Sequence, residues 1–82
     1  MMIGMSSFKL KYQNAYNLFA ERLREARETA GFTQFEVAQA LGKSQSFVSK
    51  CEIGERRLDI IELKILARLY SKDLCFFDVD IE

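Results

Sequence analysis

Side chains able to do covalent or metal chemistry are few in this sequence, and they are poorly placed for it. The chain contains two cysteines, Cys51 and Cys75, and no histidine. Neither thiol therefore has an imidazole to activate it, and two cysteines cannot supply the four protein ligands of a structural zinc site. A glycine-rich phosphate loop and a nucleophile beside a base are also lacking. We expect no enzyme activity, no cofactor and no metal, and we expect both cysteines to be buried, reduced thiols among apolar neighbours.

The charged side chains suit binding to a nucleic acid in only one part of the chain. The 82 residues include 12 Lys/Arg and 12 Asp/Glu, so the net charge is zero. Zero charge argues against DNA binding, because cations usually displace the counterions of the phosphates. Residues 1–57 carry nine cations and six anions, a net of +3, whereas residues 58–82 carry three and six, a net of −3. This asymmetry permits DNA binding by the first part and does not establish it.

Apolar residues recur at helical spacing in four segments, each with recognisable end signals. The first helix is predicted from Asn14 to Ala30 before Gly31, and the second from its N-cap Thr33 to Gly42, with Glu36 completing a capping box. The third is predicted from its N-cap Ser44 to about Gly54. The fourth begins at its N-cap Asp59, with Glu62 completing a second capping box and Ile60 on the core face of the helix. Proline is absent, and hydrophobic residues make up 49% of the chain. The sequence therefore predicts a single all-α domain, a compact bundle of about five helices.

The two ends of the chain have a different pattern. Phe8 to Tyr12 alternates apolar with basic residues, and Phe77 to Ile81 alternates apolar with acidic residues. Alternation predicts two short strands that could pair within one chain or between two, with lysines opposite aspartates; frayed helix ends or mobile tails explain the pattern equally well. We expect an N-terminal extension over residues 1–13, a helical domain over 14–77 and a C-terminal tail over 78–82.

The apolar stretches are far below the roughly 18 residues that a transmembrane helix needs. Met1 to Ser7 carries neither a basic lead nor an apolar run of signal-peptide length. We therefore expect a cytoplasmic protein without a membrane partner.

The second and third predicted helices have the spacing of a helix-turn-helix from Gln34 to Ile53. Ala38 is small where the two helices should cross most closely. Gly42, four residues later, can take the left-handed conformation that the turn requires. Val48, six residues further on, places a branched apolar side chain against the preceding helices.

This segment and its flanks resemble the Xre/Cro-type family of phage repressors and bacterial regulators, over about Leu18 to Phe77. The matching stretches are Leu23-Arg24-Glu25-Ala26-Arg27, Gly31-Phe32-Thr33-Gln34, Val37-Ala38-Gln39-Ala40-Leu41-Gly42, Ser44-Gln45-Ser46-Phe47-Val48-Ser49-Lys50 and Glu52-Ile53-Gly54-Glu55-Arg56-Arg57. The resemblance implies a lambda-repressor-like fold that binds double-stranded DNA.

The resemblance also implies which residues meet the bases. Gln45 and Ser46, at the start of the third helix, match the base-reading positions of the family, and Lys50 lies about one turn further on. A glutamine amide can make a bidentate contact with adenine, and a lysine can donate to guanine. Gln34 would bond a phosphate and could brace Gln45. On composition alone, Gln45 and Ser46 would be ordinary solvated residues, and Lys50 suits a base or a phosphate equally.

A further set of residues is implied to contact the DNA backbone or to hold the motif together. Ser44 and Ser49 could add phosphate or base contacts, Lys43, Arg56 and Arg57 could anchor the backbone, and Arg27 with Glu52 would form the internal salt bridge of the family. Arg56 and Arg57 follow Glu55 and are equally explained as solvated side chains.

Three positions depart from the family pattern. Lys43 occupies a turn position that is usually apolar, Glu55 stands where a cation is common, and Leu58 replaces the usual proline before the fourth helix. None of the three removes a groove-reading residue, so they bear on affinity more than on mechanism.

We therefore expect a transcriptional regulator that binds a (pseudo)palindromic operator as a homodimer. The surplus apolar flank of the fourth helix is the candidate interface. It consists of Ile61, Ile65 and Leu69 and is joined by Leu74, Phe76 and Phe77. The chain leaves no room for a separate ligand domain, so we expect no small-molecule ligand. The alternative is a protein-interaction module with the same fold and no DNA binding, which zero net charge and Glu55 favour.

Overall fold

Residues 12–81, which the computed structural model describes, form four α-helices and one short 3-10 helix. The helices are α1 (Gln13–Ala30), α2 (Gln34–Leu41), α3 (Gln45–Glu52) and α4 (Ile60–Leu69), followed by the 3-10 helix η1 (Leu74–Phe77). No strand occurs in this part of the chain. The predicted all-α fold is confirmed.

Polar side chains begin α2, α3 and α4 at the predicted positions. The hydroxyl of Thr33 accepts from the N–H of Glu36 at 3.1 Å, the hydroxyl of Ser44 accepts from the N–H of Phe47 at 3.1 Å, and the carboxylate of Asp59 accepts from the N–H of Glu62 at 2.7 Å. The side chains of Glu36 and Glu62 complete the two capping boxes. Each cap satisfies N–H groups that have no partner within the helix.

Glycine ends α1 and α2 because the chain turns back there with a left-handed residue. Gly31 has φ of +84° and Gly42 has φ of +69°, and the N–H of each donates to carbonyls of the preceding turn. An L side chain is disfavoured at such φ values. The turn between α2 and α3 is therefore fixed locally, and it sets the direction in which α3 leaves.

The core lies where α1, α2, α3 and α4 meet over the 3-10 helix. Its buried residues are Leu23, Ala26, Val37, Ala38, Phe47, Val48, Cys51, Leu66, Ala67, Tyr70 and Phe77. Ala38 and Val48 are both buried, as their spacing predicts. α3 contacts both α1 and α2, so one face of this short helix is held rigidly by the core.

Several predictions about individual residues are wrong. Ile60, which was expected on the core face of α4, is 57% exposed because α4 begins there and the core starts one turn later. Phe77 belongs to the 3-10 helix and is 3% exposed, and residues 78–81 form no strand. Residues 8–11 of the proposed partner strand lie outside the described residues. Cys51 is buried as expected, but Cys75 is exposed, because η1 turns Phe77 rather than Cys75 toward the core.

No helix within residues 12–81 is both long enough and apolar enough to cross a membrane.

Candidate nucleic-acid interface

The eight residues of α3 divide cleanly into a buried face and an exposed face. The buried side chains are Phe47, Val48, Cys51 and Glu52. Gln45, Ser46 and Lys50 are exposed, and Ser49 is half-buried at the edge. Ser46 and Lys50 are four residues apart and therefore lie on the same side of the helix. The three predicted base-reading residues thus share one face of a helix about 12 Å long.

An ion pair ties this helix to α1. The guanidinium of Arg27 donates to both oxygens of the Glu52 carboxylate, at 2.7 Å from Nε to Oε2 and at 3.1 Å from Nη2 to Oε1. The side chains are 12% and 4% exposed, respectively. Hydrogen bonding to Glu52 raises the pKa of Arg27, so the guanidinium stays charged. The internal salt bridge that the resemblance implied is therefore present, and it fixes the C-terminal end of α3.

Gln34 joins this ion pair and does not brace Gln45. Its amide Nε2 donates to Oε1 of Glu52 at 3.1 Å. The expected contact between Gln34 and Gln45 is absent, because the Gln34 side chain lies against one end of α3 and Gln45 belongs to the other end. Gln34 is beside the C-terminal end, where Glu52 offers a charged acceptor, whereas Gln45 is exposed at the N-terminal end. Gln34 nevertheless stands at the first position of α2, next to N–H groups that the helix leaves open.

Aromatic rings hold two of the flanking cations against α3 and a third against α1. Lys43 Nζ and the guanidinium of Arg56 each lie 5.2 Å from the ring centre of Phe47, and Arg57 lies 5.2 Å from that of Tyr16. A cation at such a distance from a ring face is attracted by the ring quadrupole. Sequence reasoning assigned Phe47 to the core alone and so missed this second role.

The cations differ in how far their charge is already neutralised. Lys43 Nζ lies 3.6 Å from a carboxylate oxygen of Glu62, although the lysine side chain is still 43% exposed. Among residues 12–81, no carboxylate forms an ion pair with Lys50, Arg56 or Arg57. These three side chains therefore keep their positive charge available to an anion in solution.

Two of the departures from the family pattern have a structural explanation. Lys43 reaches over Phe47 toward Glu62, so its aliphatic stem covers apolar surface where the family has an apolar residue. Leu58 is half-buried and packs against the core, which holds the chain before α4 without a proline. Glu55 is exposed and contributes its negative charge near the cations.

Comparison with known proteins agrees with this geometry. A family model described as a helix-turn-helix domain matches residues 18–73. The chain is also similar to the crystal structure of the restriction-modification controller protein C.AhdI from Aeromonas hydrophila, with a TM-score of 0.68 and 27% sequence identity over 76% of this chain and 90% of that chain. The comparison with curated proteins gave no match. The chain belongs to the helix-turn-helix domain family, and it is a DNA-binding regulator.

Proposed function

We propose that this protein regulates transcription in the cytoplasm by binding a (pseudo)palindromic operator as a homodimer, with α3 in the major groove. The observation that carries the proposal is the division of α3. Its inner face is locked by the core and by the Arg27–Glu52 pair, and its outer face presents Gln45, Ser46 and Lys50. A helix held this rigidly presents these three side chains in a fixed arrangement, so no ordering of its backbone is needed on binding.

The exposed face of α3 carries the chemistry that base edges require. The Gln45 amide offers a donor and an acceptor to adenine, Ser46 can donate or accept, and Lys50 can donate to guanine O6 or N7. Gln45 and Ser46 are the first two residues of α3, and the N-terminal residues of the recognition helix contact base edges in the helix-turn-helix docking mode.

Contacts to phosphate come from residues around this face. The start of α2 offers open N–H groups beside Gln34. Ser44, Ser49, Lys43, Arg56 and Arg57 surround α3 and can donate to phosphate oxygens. The hydroxyl of Ser44 accepts from the N–H of Phe47, which leaves its own proton for a phosphate. Such contacts fix the register of the protein on the duplex and carry no sequence information.

A second copy of the chain is needed because one short helix reads too few base pairs. A two-fold dimer would place its recognition helices on half-sites about 34 Å apart. The outer side of α4 supports this assembly. There Ile61 and Ile65, 60% and 42% exposed, line a cavity of about 370 Å³ together with Ala40, Leu69 and the two cationic side chains Lys64 and Arg68. Phe77 is in the core, so the interface that we propose centres on α4.

Binding to duplex DNA tests the proposal. Fluorescence anisotropy with a labelled duplex of mixed sequence should detect weak binding at low salt that falls steeply as salt is added. Absence of binding at low salt would contradict the regulator and favour the protein-interaction module.

The dimer is tested by placing a charge on the outer side of α4. Ile65→Lys should convert the dimer to a monomer in analytical ultracentrifugation and weaken binding to a two-half-site operator, because the lysines would be buried against each other. Ile81→Lys is the matched control, since Ile81 is 71% exposed, does not line the α4 cavity and lies outside the helix-turn-helix. A dimer that persists in Ile65→Lys would exclude this interface.

A further inference from the structure

We infer that Glu52 is a positioning residue for DNA binding, because it orients the amide of Gln34 for a phosphate. This inference rests on the proposed function. Glu52 lies at the end of the recognition helix and Gln34 at the start of α2, and the bond from Gln34 Nε2 to Glu52 Oε1 is 3.1 Å long. The carboxylate therefore connects the base-reading helix with the first residue of the helix beside the DNA backbone.

The chemistry of the carboxylate determines which end of the amide it holds. An ionised carboxylate only accepts hydrogen bonds, whereas a glutamine amide has a donor end and an acceptor end. Oε1 of Glu52 accepts from Gln34 Nε2 and also from Arg27 Nη2, each at 3.1 Å. A flipped amide would place its own oxygen against this anion. Glu52 therefore selects one of the two amide orientations.

The selected orientation is the one that a phosphate can use. A phosphate, like a carboxylate, offers only acceptors to an amide. Nε2 of Gln34 carries two protons, and Glu52 accepts a hydrogen bond from one of them. The second proton stays on a half-buried side chain at the start of α2, where the open helix N–H groups also favour an anion. Without Glu52, the amide would be free to turn its oxygen toward the phosphate.

Arg27 makes the arrangement compatible with DNA. The Glu52 carboxylate is 4% exposed, and a bare negative charge there would repel a neighbouring phosphate. Two bonds from Arg27 neutralise it, and a third bond ties Arg27 Nη1 to the carbonyl of Phe32 at 2.9 Å. Arg27 thus holds the fold and the charge balance, while Gln34 donates to the second lone pair of Glu52 Oε1.

A double-mutant cycle in operator binding separates positioning from folding. The ion pair is first replaced by an apolar pair of similar volume, Arg27→Met/Glu52→Met, because such replacements often preserve stability. On the cognate operator this change should weaken binding by about five-fold, as expected for one lost hydrogen bond. In a Gln34→Ala background, the same change should weaken binding by less than about two-fold, because the amide it orients is gone.

Gln45→Ala is the matched control, since it removes the same side chain from α3 without touching Glu52. Its effect on binding should add to that of the double methionine change. Base preference, determined by site selection, should be unchanged by Gln34→Ala. All binding is compared at a temperature where circular dichroism shows every variant folded. If the methionine pair weakens operator binding as much in the Gln34→Ala background as it does with Gln34 present, the positioning role is overturned and the proposed function stays intact.

The wild-type protein offers a second measurement if the methionine pair fails to fold. In ¹⁵N-resolved NMR spectra, the Nε2 proton of Gln34 that donates to Glu52 should be shifted from the position of a solvated glutamine amide, and operator DNA should shift the other Nε2 proton. Unshifted Gln34 protons alongside shifted Gln45 amide protons would overturn the inference while DNA binding stands. Absence of any DNA binding would overturn both.

Discussion

Removing the carboxylate of Glu52 tests how strongly the Arg27–Glu52 ion pair holds three helices together. The two side chains are 12% and 4% exposed and share two hydrogen bonds of 2.7 and 3.1 Å. Glu52 also accepts from Gln34 on α2. Glu52→Ala therefore leaves donors from α1 and α2 without their acceptor.

The expected loss follows from the burial of the two groups. Removing one partner of a buried ion pair costs about 3–5 kcal/mol. In Glu52→Ala the remaining guanidinium keeps its bond to the Phe32 carbonyl and some access to water, so we expect about 3 kcal/mol. Arg27→Met leaves the more deeply buried carboxylate without its partner and should lower the unfolding free energy by about 4–5 kcal/mol. The double methionine variant should lie within about 1 kcal/mol of the wild type.

Lys43–Glu62 provides the matched control. Its atoms are 3.6 Å apart and the lysine side chain is 43% exposed, so Lys43→Met, which keeps the aliphatic stem, should cost less than about 1 kcal/mol. Urea unfolding followed by far-UV circular dichroism, at one protein concentration for all variants, measures these differences without screening the charges as guanidinium salts do. If Glu52→Ala destabilises no more than Lys43→Met, the ion pair does not hold the motif together.

Four further results are expected. Gly42→Ala should cost about 1 kcal/mol of unfolding free energy, because φ is +69° while no atom lies within 4 Å of the added Cβ; unchanged stability would contradict this. Iodoacetamide at mildly alkaline pH should label the exposed Cys75 and spare Cys51, whose pKa burial raises to about 11, and equal labelling would contradict the packing of α3. Because the unfolded Cys51 thiol ionises first, unfolding free energy should also fall as pH rises from 9.0 toward 11, and less so in Cys51→Ala. Arg56→Ala should lower affinity for all duplexes without changing base preference, and a changed preference would refute its backbone role.

The local parts of the fold could be predicted from the sequence because neighbours within a few residues determine them. The caps Thr33 and Ser44 accept from N–H groups three residues ahead. The positive φ at position 42 favours glycine there. The spacing of Ala38 and Val48 likewise predicts a helix crossing that depends only on side-chain size. Such features are encoded in short stretches of sequence.

The remaining features depend on where distant segments meet. Gln34 bonds to Glu52, 18 positions away, and not to Gln45. Which of these two residues Gln34 meets depends on how α2 crosses α3. The burial of Phe77 depends on a 3-10 helix that returns to α1, where Phe19 meets its ring at 6.4 Å. Periodicity within one segment predicted neither contact, because the pattern does not specify which end of a helix a neighbour approaches.

Site selection from random DNA, carried out with the wild type and with Gln45→Ala, tests whether α3 reads the bases. We expect a (pseudo)palindromic site with half-sites about one helical turn apart. Gln45→Ala should relax preference at one position of each half-site and cost about 1–3 kcal/mol of binding free energy on the wild-type site. A wild-type protein that enriches no sequence, or a Gln45→Ala variant that weakens all sequences equally, would contradict base reading by α3.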